Sequence, residues 1–269
     1  MTIEFANQQK ATSVAIIGAG AIGSSTAWHL AKNGLEVLLI DPNIGIKRIR
    51  SGSIPASTAS LGVLMGNLCR RTKGRAWRLR KQSMNIWPKW IKELSSKNHP
   101  LEFETPLIKL ASSELEEKAI NKLIDERKSL GIEKIDVSTT KLINHYFPNH
   151  HFGGLISHHD GRIEPLLFQC CINQALQKRK VKQLNHKVLS LKRLSHNQYE
   201  RWEILLDNGA SLNTNYIVIC SAVNSYQLLK PLGHEKPMEP MLGQAVKIKT
   251  KIESWSGWPV VLTLQDINL

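Results

Sequence analysis

Ser13-Val14-Ala15-Ile16-Ile17-Gly18-Ala19-Gly20-Ala21-Ile22-Gly23 decides how the rest of the chain reads. Its first five residues are a short, β-branched apolar run, the pattern of a buried parallel strand. Ala21 to Asn33 carries helical residues, and Gly34 suits the position just past a helix end. Val37-Leu38-Leu39-Ile40 is a second buried strand, ended by Asp41-Pro42. Strand, helix and strand at this spacing make a βαβ unit with a right-handed crossover. The G-x-G-x-x-G between strand and helix gives each glycine a task. Gly18 permits the tight turn, Gly20 lets backbone approach a pyrophosphate, and Gly23 lets the helix pack close to the sheet. The anion then meets free N–H groups and the positive dipole end of the helix. Asp41 follows Gly18 by 23 residues and can accept both hydroxyls of an adenosine ribose. Strand, helix and acid agree, so a dinucleotide site is favoured over a bare glycine turn in an α/β core. An acid at Asp41 disfavours NADP, whose 2′-phosphate it would repel, and leaves NAD and FAD open.

The 269 residues are 42% hydrophobic and 22% charged, which excludes disordered and collagen-like chains. Four cysteines without a C-x-x-C pair exclude a disulfide-stapled scaffold, and a reducing cytoplasm is the simplest reading. A net charge of +14 favours anionic partners, from a phosphorylated cofactor to nucleic acid. No apolar run is long enough for a membrane-spanning helix, and the N-terminus has no secretory pattern.

Further along, Ser51 to Gly66 is too rich in Ser, Gly and Ala to be strongly helical. Trp77 to Leu94 reads as a helix with Trp77, Leu79, Met84, Trp87, Trp90, Ile91 and Leu94 at buried positions and Pro88 placed to kink it. Ser113 with Glu116 makes a capping box for a helix ended by Gly131. A helix over Ile163 to Gln177 begins near Pro165. From Val181 short strands take over: Val188–Leu191, Trp202–Leu206 and Tyr216–Cys220, with Asp207-Asn208-Gly209 as a hairpin turn.

These residues, with three more motifs, resemble the FAD-dependent oxidoreductases of the D-amino-acid oxidase type, the group of glycine oxidase, sarcosine oxidase and D-amino-acid dehydrogenase. VAIIGAGAIGSSTAWHLAKNGLEVLLIDP is similar to the family's N-terminal fingerprint. Pro55 to Leu64 resembles its second signature, a loop leading to the flavin ring. Asp160-Gly161-Arg162-Ile163-Glu164-Pro165 resembles "D-G-x-[VI]-[DE]-P", and Ile217 to Ser225 resembles "VVLAAGAWS". The resemblance implies FAD as cofactor and a Rossmann-like, parallel α/β FAD-binding sheet with an inserted mixed or antiparallel substrate domain. It implies FAD-binding stretches at 1–98 and 159–232 and substrate-domain stretches at 99–158 and 233–269. Gly18, Ala19, Gly20, Ile22 and Gly23 would cradle the diphosphate, and Asp41 with Pro42 would close the ribose site. Ser57, Thr58, Gly62, Val63 and Leu64 would line pyrophosphate and isoalloxazine. Val188 stands where such proteins bond adenine through backbone, and Ser221 and Ala222 would lie over the adenosine. The implied chemistry is hydride transfer from a carbon bearing an amine to the flavin, with a small amine or amino acid as substrate.

Two departures stand out. Ala222 and Asn224 replace the family's Gly and Trp. Beyond Gln265–Leu269 the family continues to a carboxylate-binding Arg and a Gly-rich stretch, with no counterpart here. The resemblance therefore implies a C-terminally truncated member, for which a second chain supplying the missing lobe is the expected partner, and it assigns no catalytic residue.

Other signals have plainer readings. Arg70, Arg71, Lys73, Arg75, Arg78, Arg80 and Lys81 crowd twelve residues without an acid. A solvated helix face explains them better than a phosphate or RNA grip, as it does Lys178-Arg179-Lys180 with Lys182 and Lys187. The grip keeps one alternative open, a flavin-binding or tRNA-associated protein without independent turnover. His145, His150, His151, His158 and His159 read as a polar loop, and no metal site is expected. Cys170-Cys171 read as buried small hydrophobes, and Gly243-Gln244 as a turn or a strand entry.

Overall fold

The structure, a computed structural model, describes residues 13–44, 55–69, 73–136, 152–196, 199–241, 243 and 260–263. In chain order the strands are β1 (Ser13–Ile17), β2 (Glu36–Ile40), β3 (Val63–Leu64), β4 (Leu107–Leu110), β5 (Ile132–Ile135), β6 (Gly154–Ser157), β7 (Gly161–Arg162), β8 (Lys182–Leu184), β9 (Val188–His196), β10 (Tyr199–Leu206), β11 (Ser211–Thr214), β12 (Tyr216–Ile219) and β13 (Val260–Thr263). The helices are α1 (Ala21–Lys32), α2 (Ala56–Ala59), α3 (Gly74–Leu94), α4 (Glu114–Arg127), α5 (Pro165–Lys178) and α6 (Ser225–Leu229). The chain divides into two compact units. One comprises residues 1–60 and 165–245, the other residues 61–164 and 246–269.

The first unit is built on a parallel sheet in the order β12-β1-β2-β8. Its central strands are apolar because both faces are covered. Ala15, Ile17, Leu38 and Ile40 enter one cluster with Val188, Leu191, Ile204, Leu206 and Leu212 of the antiparallel ribbon β11-β10-β9. Side chains alternate across a strand, so Val14, Ile16, Val37 and Leu39 face the other side, where α1 packs on β1 and β2. The βαβ unit stands where the glycine spacing puts it, with Gly34 closing the α1–β2 turn at φ +84°; separately, Gly209 turns the β10–β11 hairpin at φ +80°.

The second unit holds a mixed sheet, β13-β4-β6-β5, and the two-stranded pair β3-β7. Ala111, Ile120, Ile124, Ile132 and Leu155 form the core between α4 and the sheet. Ser113 caps α4 by accepting from Glu116 N–H at 3.2 Å, while the Glu116 carboxylate reaches Ser112 rather than closing on Ser113. Helix α3 runs through Pro88 to Leu94. Leu79, expected inside, is 57% exposed. It lies two residues from Trp77, hence on a different side of the helix. Among the expected core positions of this helix only Leu94 is buried; Trp77, Met84, Trp87, Trp90 and Ile91 are half-buried.

The α/β architecture with a parallel sheet and separate antiparallel regions is the one the sequence implies. No helix among the described residues is long and apolar enough to cross a membrane.

Candidate cofactor site

The glycine loop joins β1 to α1 and is shaped by close backbone approach. Gly18 has φ +106°, and a Cβ there would stand 2.4 Å from the Cys220 carbonyl oxygen at the end of β12. A Cβ on Gly23 would fall 1.8 Å from the Gly18 carbonyl oxygen, so only glycine lets the first turn of α1 sit on the strand end. A Cβ on Gly20 would meet the Ser57 hydroxyl at 2.9 Å. That hydroxyl accepts from the Ala21 N–H at 2.9 Å. Ser57 thus stands at the helix N-terminus, where backbone donors and the dipole favour an anion. Ile22, at the open side of this turn, is 72% exposed.

Asp41 closes β2. One carboxylate oxygen accepts from Ala19 N–H at 2.9 Å and the other from Asn43 N–H at 2.8 Å, in a turn that leaves Pro42 exposed. Each oxygen keeps lone-pair capacity for a further donor, which is what ribose hydroxyls require. Thr58 is turned inward on its own backbone, its hydroxyl donating to the Pro55 carbonyl at 3.0 Å.

Sequence reasoning missed Gln169 on α5. Its amide donates to the Ala19 carbonyl at 3.2 Å and lies 3.3 Å from the Ser24 hydroxyl, which itself donates to the same carbonyl at 2.9 Å. Two side chains therefore fix the outer peptide of the loop. The only local signal was the i, i+4 pairing of Gln169 with Asn173, at 3.1 Å, which says nothing about a loop 150 residues earlier. Cys220 was missed too; partial burial pushes its thiol up.

Ser221 and Ala222 follow β12. Ala222 has φ +48°, a left-handed conformation, in the place where the family pattern carries glycine. Val188 opens β9, is buried, and pairs with Leu206. Its approach is fixed by Asp207, which donates its N–H to the Lys187 carbonyl at 2.9 Å and accepts from Lys187 N–H at 3.1 Å. That bond, then one from His186 at 2.8 Å, holds the exposed Asp207 carboxyl below its ordinary range.

In the second unit, Gly62, Val63 and Leu64 lie half-buried along β3, paired with β7. Asp160 is fully buried and accepts from Gly66, Asn67 and Leu68 N–H at 2.8–2.9 Å and from the Ser157 hydroxyl at 2.9 Å. Nearby Arg127 donates to the Asn67 carbonyl at 2.7 Å, its basicity lowered by burial.

Several plainer readings are also located. Lys73, Arg75, Arg78, Arg80 and Lys81 are exposed, as are Lys178, Arg179, Lys180, Lys182 and Lys187; Arg70 and Arg71 lie outside the described residues. Cys171 is buried, and burial raises its thiol, but Cys170 is exposed: adjacent helical residues point about 100° apart, so the pair cannot share one buried face. His158 and His159 are exposed, and His158 lies 3.4 Å from Glu133. His145, His150, His151 and Gln244 lie outside the described residues, and among those described no group of three candidate ligands gathers for a metal.

The profile of the FAD dependent oxidoreductase family (DAO) matches residues 13–268. The chain belongs to this family. Its fold is similar to that of glycine oxidase from Geobacillus kaustophilus, with a TM-score of 0.69 at 20% identity over 82% of this chain and 58% of that one. It is also similar to iminodiacetate oxidase from Chelativorans sp. BNC1, at 0.67 and 20% over 93% of this chain and 66% of that one. The FAD-bound L-α-glycerophosphate oxidase from Mycoplasma pneumoniae gives 0.66 and 17% over 82% of this chain and 57% of that one. The chain thus spans well under two thirds of the glycine and glycerophosphate oxidases. No curated protein matches it.

FAD is the cofactor of the family, and the residues present fit it. Gly18 and Gly23 leave no room for side chains at a helix N-terminus, Gly20 faces only the Ser57 hydroxyl there, and an acid with spare acceptor capacity ends the second strand.

Proposed function

We propose that this protein is an FAD-dependent oxidoreductase acting on the C–N centre of a small amine or amino acid, of the glycine, sarcosine or D-amino-acid kind. The observation that carries the proposal is the convergence of Gly18, Gly20, Gly23, Asp41 and Ser57 on one helix N-terminus. Gly18, Ala19, Gly20, Ile22 and Gly23 with Ser57 and Thr58 would hold the diphosphate; Asp41, with Pro42 shaping its turn, would hold the ribose. Val188, Ser221 and Ala222 would bound the adenosine, and Gly62, Val63 and Leu64 would back the ring. Flavin held there would supply hydride acceptance from the substrate carbon. The chain's own part is to bind, orient and exclude water.

In this reading residues 1–98 and 159–232 serve the cofactor and 99–158 and 233–269 the substrate, in the cytoplasm. Anaerobic addition of glycine, sarcosine or D-alanine to the FAD-loaded protein tests the substrate class. Bleaching of the flavin band by one of them supports it, and a band unmoved by all three overturns it. The second reading, flavin binding with RNA contact and no turnover, has the exposed basic residues of α3 in its favour. Loss of binding to a structured RNA on reversing the charges of Arg75, Arg78 and Lys81 would support it.

A further inference from the structure

Asp160 to Ile163 meets Leu61 to Leu68 step by step. Arg162 Nε donates to the Leu61 carbonyl at 3.1 Å, and Ile163 N–H donates to the Gly62 carbonyl at 3.0 Å. Val63 pairs with Arg162 and Leu64 with Gly161, and Asp160 then takes the N–H groups of Gly66, Asn67 and Leu68. The weak point of this run is its start. Gly62 sits at φ +71°, a turn that glycine leaves conformationally loose, and the Leu61 side chain is 44% exposed and offers no apolar anchor. Beside the Ile163 N–H bond to Gly62, the Arg162 side chain holds this turn at the Leu61 carbonyl. Its guanidinium is itself fixed by Glu164 at 2.6 Å and Glu104 at 3.4 Å, and its backbone exchanges both hydrogen bonds with Glu104, at 2.8 and 2.9 Å. A planar fork with five donors can serve two carboxylates and a carbonyl at once; a lysine ammonium cannot match that geometry.

We propose that Arg162 is a positioning residue for the flavin-facing loop: held by Glu104 and Glu164, it fixes the Leu61 carbonyl and so the course of Gly62–Leu64. The part concerning flavin rests on the function proposed above; the part concerning the loop does not. Because the side chain is about one-third exposed, its ion pairs add little to stability. Its effect is on local geometry.

Two variants test this. R162M removes the donors, and R162K keeps the positive charge without the fork. Amide exchange on the chain without cofactor is read first. The Ile163 amide, which reports the Gly62 carbonyl, exchanges about tenfold faster in both variants, while Gly66, Asn67 and Leu68, held by Asp160, keep their parent rates. On the FAD-loaded protein both variants hold FAD about tenfold more weakly, because the loop backing the ring is no longer fixed, and the flavin visible band is altered. Unchanged Ile163 exchange, equal acceleration across Gly66–Leu68, or full rescue by lysine would each overturn the proposal. Should the parent chain retain no FAD, the flavin reading falls while the exchange pattern alone decides the role of Arg162.

Discussion

Ala222 occupies a left-handed conformation, φ +48°, directly after the strand that abuts the glycine loop. An L-residue there costs about 1–2 kcal/mol through contact of Cβ with the following carbonyl. Glycine removes that cost but gains freedom in the unfolded chain, which offsets about 0.4–1 kcal/mol. Ala222 is exposed, so no packed methyl is lost. Ala222→Gly should therefore stabilise the chain by about 0.5–1 kcal/mol, raising the melting midpoint by about 1–4 °C at this chain length. Ala222→Val, β-branched, should lower it by more than glycine raises it. Scanning calorimetry of the three proteins in one buffer is the assay. Glycine that leaves the midpoint unchanged or lowers it, or valine that is tolerated, would refute the assignment of strain to this residue.

Other perturbations follow from the same geometry. Gly23→Ala drives a methyl into the Gly18 carbonyl and should cost about 3 kcal/mol or more, read by denaturant unfolding, with loss of FAD retention. Asp160→Ala leaves the buried Gly66 N–H and the part-buried Asn67 and Leu68 N–H groups without their acceptor and should cost about 2–4 kcal/mol; a loss below 1 kcal/mol would contradict its role. The Asp207 carboxyl is held low by Lys187 N–H and then His186. Its contribution to stability is therefore present above its unfolded value and lost as pH falls through the folded one. Asp207→Asn should melt lower than the parent at pH 7, and the gap should close on acidification below about pH 4; a gap constant with pH would contradict this.

What was legible in the sequence was local. β1, α1 and β2 follow from one apolar run, three glycines and an acid, all within 30 residues, and the Ser113 cap of α4 and the Asp207–Gly209 turn are equally short-range. The second unit was far less legible. β13 pairs with β4 across some 150 residues, and β3 and β7 are two residues each, too short for any periodicity to register. Leu79 shows the limit of composition in a helix, since an apolar residue two positions from another faces elsewhere. At the site, glycines and acid announce themselves by type and spacing. Gln169 and Arg162 do not, because the carbonyls they fix, of Ala19 and Leu61, lie 150 and 101 residues away in sequence.

The central claim is that this chain's own residues suffice to hold FAD. The most direct measurement is the visible absorbance of the purified chain after FAD is added and the excess removed. A retained flavin band with resolved shoulders, lost in Gly23→Ala, is the expected result. A colourless protein after the same treatment would contradict the account.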